Sequence, residues 1–68
     1  MKNNEKRWTL RIFYWDTDHN EIAPTRRKSC IEGLLYHVES PKIRDLVPDK
    51  PLVTVNLYAD KYIYVTYR

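Results

Sequence analysis

Two runs near the C-terminus alternate with a period of two, and that period is what most limits the fold. Over 52–58, Val53, Val55 and Leu57 share one face while Thr54, Asn56 and Tyr58 share the other. Over 61–67, Ile63, Val65 and Tyr67 alternate with Tyr62, Tyr64 and Thr66, in a run nearly continuous in β-branched and aromatic residues. Such alternation belongs to half-buried strands. A tight turn near Ala59 and Asp60 predicts that the two runs pair as a hairpin. The sheet they begin has one apolar face that something else must cover.

Residues 7–15 read as another strand. Trp8, Leu10, Ile12 and Tyr14 fall on an apolar face; Arg7, Thr9, Arg11, Phe13 and Trp15 fall on the opposite one. Turn-forming or polar residues fill 16–20, and 21–23 is expected to return as a short second strand before Pro24.

A single helix is expected over 26–39, capped by Thr25. At helical spacing Cys30, Ile31, Leu34, Leu35 and Val38 form one stripe, with Lys28, Glu32, Tyr36 and Glu39 opposite. Gly33 interrupts that helix and Pro41 ends it. The connector 41–51 holds three prolines, and Ile43, Leu46 and Val47 are expected to anchor it. The predicted class is therefore α+β: a small two-layer sandwich, ββαββ or βαββ, with one amphipathic helix across an antiparallel sheet.

A chain of 68 residues supports one domain, 1–68, with 1–6 as a flexible basic N-terminus. Its hydrophobic fraction of 43% suffices for a core and argues against disorder. Such a core has little room for a buried multi-residue active site, so no enzyme is expected.

Net charge is +3, concentrated in residues 1–11 and in the triplet Arg26, Arg27 and Lys28. Cations at a helix start oppose the helix dipole, which implies solvent screening or a bound anion. Successive helical residues point about 100° apart, so a broad anionic surface fits the triplet better than a pocket. Neutralisation by Asp16, Asp18 and Glu21 is the plainer alternative.

The uncovered sheet face would carry Arg11, Phe13 and Trp15 with Tyr58, Tyr62 and Tyr64. Aromatics mixed with arginine suit a protein hot spot or the stacking of unpaired bases. They also suit ordinary cross-strand pairing.

Other chemistry is poorly supported. A turn accounts for Asp16, Asp18 and His19 without a metal. Cys30 and His37 would lie about 10 Å apart on the helix, too far for a thiolate–imidazole pair. One glycine and one cysteine exclude the common phosphate-loop, nucleophile-elbow and CxxC motifs. The lone cysteine and the polar first residues predict a cytoplasmic protein without a leader. No motif identifies a family, and no cofactor or metal is expected.

The sequence thus predicts a non-enzymatic binding protein with a protein partner, in an inhibitor, adaptor or antitoxin-like role, of phage or mobile-element origin. A homodimer is a further possibility, and no membrane partner is expected. The alternative is a nucleic-acid-binding domain using Lys6, Arg11 and the triplet on phosphates. The partner-binding residues expected are Arg11, Phe13, Trp15, Arg26, Arg27, Lys28, Tyr58, Tyr62 and Tyr64.

Overall fold

The computed structural model describes residues 5–68; the first four positions of the expected basic N-terminus lie outside them. Five strands follow in order: β1 (Arg7–Asp16), β2 (Glu21–Ile31), β3 (Leu35–Glu39), β4 (Leu52–Asn56) and β5 (Lys61–Tyr67). β1 is the centre of a three-stranded sheet ordered β2-β1-β5, antiparallel to β2 and parallel to β5. β3 and β4 form a separate antiparallel ladder. The described residues contain no helix, so the α+β class and its ββαββ or βαββ order are corrected to an all-β, two-sheet architecture.

The helix expected over 26–39 is two strands and a turn. Arg26 to Ile31 pair in register with Ile12 back to Arg7. The chain then turns through Gly33, at φ +77°, and Leu35–Glu39 leaves as β3. The turn is fixed by the Leu34 N–H donating to the Ile31 carbonyl (3.1 Å) and the Gly33 N–H donating to Leu57 (2.8 Å). Composition explains the outcome: Ser29, Cys30, Ile31, Tyr36, His37 and Val38 all have modest helix propensity. The helical stripe was a coincidence across a turn. Cys30 and Val38 are buried, but from different sheets, while Leu34 and Leu35 are exposed.

Two further expectations change. The returning strand begins at Glu21 but does not stop at Pro24; it runs on to Ile31. Pro24 is tolerated because β2 is an edge strand, where a missing N–H breaks no essential ladder. The strands around Ala59 and Asp60 are not a hairpin. β4 pairs with β3 and β5 with β1, so 57–60 carries the chain from one sheet to the other.

The β1–β2 turn rests on Asp16. Its carboxylate accepts the N–H groups of Asp18 (2.8 Å) and Asn20 (2.9 Å), while His19 takes a left-handed φ of 66°. These bonds, the Asn20 backbone first, hold the Asp16 carboxyl below its ordinary range.

The connector packs Ile43 and Leu46 against the core, whereas Val47 is exposed rather than an anchor. The connector's end lies along β5. Val47 and Arg68 exchange backbone hydrogen bonds (2.9 and 3.0 Å), and the Asp49 N–H donates to Thr66 (2.8 Å).

One buried cluster draws on both sheets. Leu10, Ile12, Tyr14, Cys30, Val65 and Tyr67 come from the larger; Val38, Val53 and Val55 come from the smaller, with Leu57 just beyond it. The apolar faces read from alternation in 7–15, 52–58 and 61–67 are the faces that meet here. Tyr67 reaches across to donate its hydroxyl to the Pro41 carbonyl (2.6 Å). The smaller sheet covers the face assigned to a helix, and the reverse of the larger sheet stays open.

Candidate binding surface

Burying Leu10, Ile12 and Tyr14 obliges the intervening residues of β1 to point away from the core. Thr9, Arg11, Phe13 and Trp15 therefore line the reverse of the sheet. Parallel pairing sets Arg11 beside Tyr62, Phe13 beside Tyr64 and Trp15 beside Thr66.

These side chains form a continuous strip. Phe13 stacks on Tyr64 with ring centroids 5.0 Å apart, and Tyr62 meets Phe13 edge-on at 6.0 Å. Trp15 lies 4.9 Å from Tyr64 and 6.1 Å from Phe13. His19 stands edge-on to Trp15 at 5.7 Å, extending the strip into the turn. At the other end the Arg11 guanidinium sits over the Tyr62 ring at 5.5 Å. Tyr62 remains 57% exposed and Tyr64 45%, so much of each ring is available for contact.

β2 supplies the cationic border. The Glu32 N–H donates to Lys6 (2.8 Å), which makes Trp8–Cys30, Leu10–Lys28 and Ile12–Arg26 the hydrogen-bonded pairs by alternation. Arg11 and Arg27 are then a non-hydrogen-bonded pair, the closer kind, with both side chains on the reverse face. Like charges set directly opposite are destabilising. Neither arginine makes an ion pair within the described residues. With Phe13 and Thr25 they line a shallow groove beside the aromatic strip.

Six expected residues are thus brought together: Arg11, Phe13, Trp15, Arg27, Tyr62 and Tyr64. Strand geometry splits the triplet. Arg26 faces the opposite side of β2, beside Glu39, and Lys28 lies with its ammonium 5.2 Å over the Tyr36 ring. There is no basic helix start. The acids proposed to neutralise the triplet form no ion pair with it among the described residues, and Asp16 is committed to its turn. Tyr58 is exposed but separate from the strip, packed over Gly33 at the crossing between sheets. Thr25, Ser29 and His19 join the site unanticipated. Extending the period-two pattern through 25–29 would have found the first two.

No protein-family model and no curated protein matches the chain. The fold, however, has counterparts among solved structures. The chain is similar to the mucin-binding domain of Spr1345 from Streptococcus pneumoniae, with a TM-score of 0.69 and 22% identity over 94% of this chain and 90% of that one. It is also similar to Mub-RV, with a TM-score of 0.72 and 16% identity over 98% of this chain. The chain spans about half of Mub-RV, 55% of its length. At these identities the likeness establishes the fold.

Proposed function

We propose that this chain is a non-enzymatic binding module whose open sheet face docks on a glycosylated protein. The observation that carries the proposal is the strip Tyr62–Phe13–Tyr64–Trp15, bordered by the opposed Arg11 and Arg27. Tyrosine rings offer apolar plates with a polar tip. A sugar ring has the complementary form, an apolar C–H face with a hydroxyl rim. The arginine pair favours a glycan or peptide bearing carboxylate or sulfate, which guanidinium groups can grip in two-point fashion. The description of one structural neighbour as mucin-binding supports a glycoprotein partner. An extracellular setting meets no chemical obstacle in Cys30, a lone thiol buried in the core. Nothing in the sandwich singles out an inhibitor, adaptor or antitoxin role.

The test is binding to an immobilised mucin glycoprotein, intact and enzymatically deglycosylated, with a single-stranded oligonucleotide as competitor. The expected result is saturable binding to the intact glycoprotein, lost on deglycosylation and weakened about tenfold by Phe13→Ala or Tyr64→Ala. Binding indifferent to both substitutions would exclude the strip. Preference for the oligonucleotide, with affinity falling steeply as salt rises, would replace the proposal with nucleic-acid recognition.

A further inference from the structure

The long strand β2 is paired on one side alone, to β1. Alternation along that pairing directs the N–H and C=O groups of Arg27, Ser29 and Ile31 outward. The outward edge is closed at both ends. Ile31 donates its N–H to the Tyr36 hydroxyl (2.9 Å), and its carbonyl accepts from Leu34. Pro24, toward the start, has no N–H to offer. The segment left open runs over 25–29 and contains Arg26, Arg27 and Lys28.

From these features we infer a second binding site, adjoining the aromatic strip at Phe13: the outer edge of β2 takes an extended acidic peptide as an added strand. Main-chain bonds supply affinity in this mode, while alternate side chains enter concavities on either side. Both concavities are present. On the reverse face lies the groove of Arg11, Phe13, Thr25 and Arg27. On the core side lies a cleft walled by Ala23, Pro24 and Arg26 across from Glu39 to Lys42. Arg27 marks the first concavity, while Arg26 and Lys42 outnumber Glu39 in the second.

Charge selects the occupant. Unpaired edges invite another strand, and natural proteins guard them with lysine, arginine and proline. A second copy of β2 in antiparallel pairing centred on Arg27 would set three cations against three, a repulsive arrangement. An acidic strand reverses that sign at every position. The triplet therefore excludes self-pairing and admits an anionic chain through the same residues.

The probe is a synthetic peptide of about nine residues with a central run of three Glu flanked by Thr, so that carboxylates reach both faces, and a Lys-for-Glu counterpart is the control. We expect saturable binding of the Glu peptide, none of the Lys peptide, and hydrogen exchange at the Arg27 and Ser29 amides slowed about tenfold on binding. Ser29→Pro removes an outward N–H that the β1 ladder does not use, so it should keep the circular dichroism spectrum and weaken binding about tenfold. The double variant Arg26→Glu, Arg27→Glu should exchange the preference to the Lys peptide, a readout that does not depend on the proline variant folding. Tyr64 lies outside both concavities, and Tyr64→Ala should leave peptide affinity unchanged, so failure at this edge and failure of the aromatic strip give different patterns. Absence of saturation at millimolar Glu peptide would overturn the inference, as would binding that leaves the two amides unprotected. So would a wild-type dimer in sedimentation that protects those same amides, because the occupant would then be a second copy.

Discussion

Phe13 and Tyr64 stack with their planes 17° from parallel, joining the central strand to its parallel neighbour on the solvent side of the sheet. Such a pair contributes about 0.5–1.5 kcal/mol beyond its buried area. A double-mutant cycle of Phe13→Ala and Tyr64→Ala, read from urea midpoints, should give a coupling of about 1 kcal/mol. Strictly additive losses would mean that the rings do not meet. Tyr64→Ala alone should cost little beyond that coupling, since nearly half of that residue is open to solvent. A large loss of binding beside a small loss of stability would mark the ring as a contact residue.

Gly33 decides between the helix expected from sequence and the turn observed. Within a helix, Gly33→Ala would stabilise by about 1 kcal/mol. At φ +77°, with an added Cβ falling 3.2 Å from the Tyr58 hydroxyl, the substitution should instead destabilise by about 1–2 kcal/mol. The sign of the shift in thermal midpoint is the measurement. Adding Tyr58→Ala should relieve the steric part and leave the backbone part, so the double variant recovers some of the loss and not all.

Much of the sheet could be read from period-two patterning, because burial of one face leaves that record along a strand. Leu10, Ile12 and Tyr14 were separable from Arg11, Phe13 and Trp15 in this way, and so were Val65 and Tyr67 from Tyr62 and Tyr64. The aromatic side of the binding surface followed directly. Pairing left no such record. Nothing local to Lys61–Tyr67 says that it lies parallel to β1 when Leu52–Asn56 is its neighbour in sequence. The segment 25–38 misled for a different reason. Cys30, Ile31, Leu34, Leu35 and Val38 imitate a helical stripe because a strand, a turn and a strand happened to superimpose on it. The modest helix propensities there were the better signal, and they favour strand over helix without fixing which residue of β1 faces Arg27.

Acid should weaken the fold partly through Asp49. Burial pushes its carboxyl upward, but the Thr66 N–H at 3.0 Å and the Lys50 ammonium at 3.3 Å outweigh that and hold it below its ordinary range. A folded-state pKa below the unfolded one means that the unfolded chain binds more protons on acidification. The contribution is therefore complete above the unfolded value, about 4, and disappears as pH falls through the lower folded value. Urea midpoints at neutral pH and near pH 2.5 should differ less for Asp49→Asn than for wild type. Asp16, shifted in the same direction, should retain the remaining dependence. An unchanged pH difference in Asp49→Asn would show that this carboxylate does not hold the connector to β5.

Cys30 reports on how the whole sandwich opens. Its side chain is fully buried opposite Trp8 in the β1–β2 ladder, and burial raises its thiol pKa despite the nearby Lys28. A buried, protonated thiol is a poor nucleophile. A thiol-specific reagent should label it slowly in the native protein and rapidly in urea. Global opening as the route to exposure makes the labelling rate follow the unfolding equilibrium. Val65→Ala, in the other neighbour of β1, removes fully buried methyl groups at a cost of about 2 kcal/mol. Labelling should then accelerate about thirtyfold, the factor that such a loss implies at roughly 1.4 kcal/mol per decade. A rate unmoved by Val65→Ala would mean that β2 peels from β1 on its own. The edge strand would then be a separately mobile unit, and amide exchange along 25–31 should be correspondingly faster than in β5.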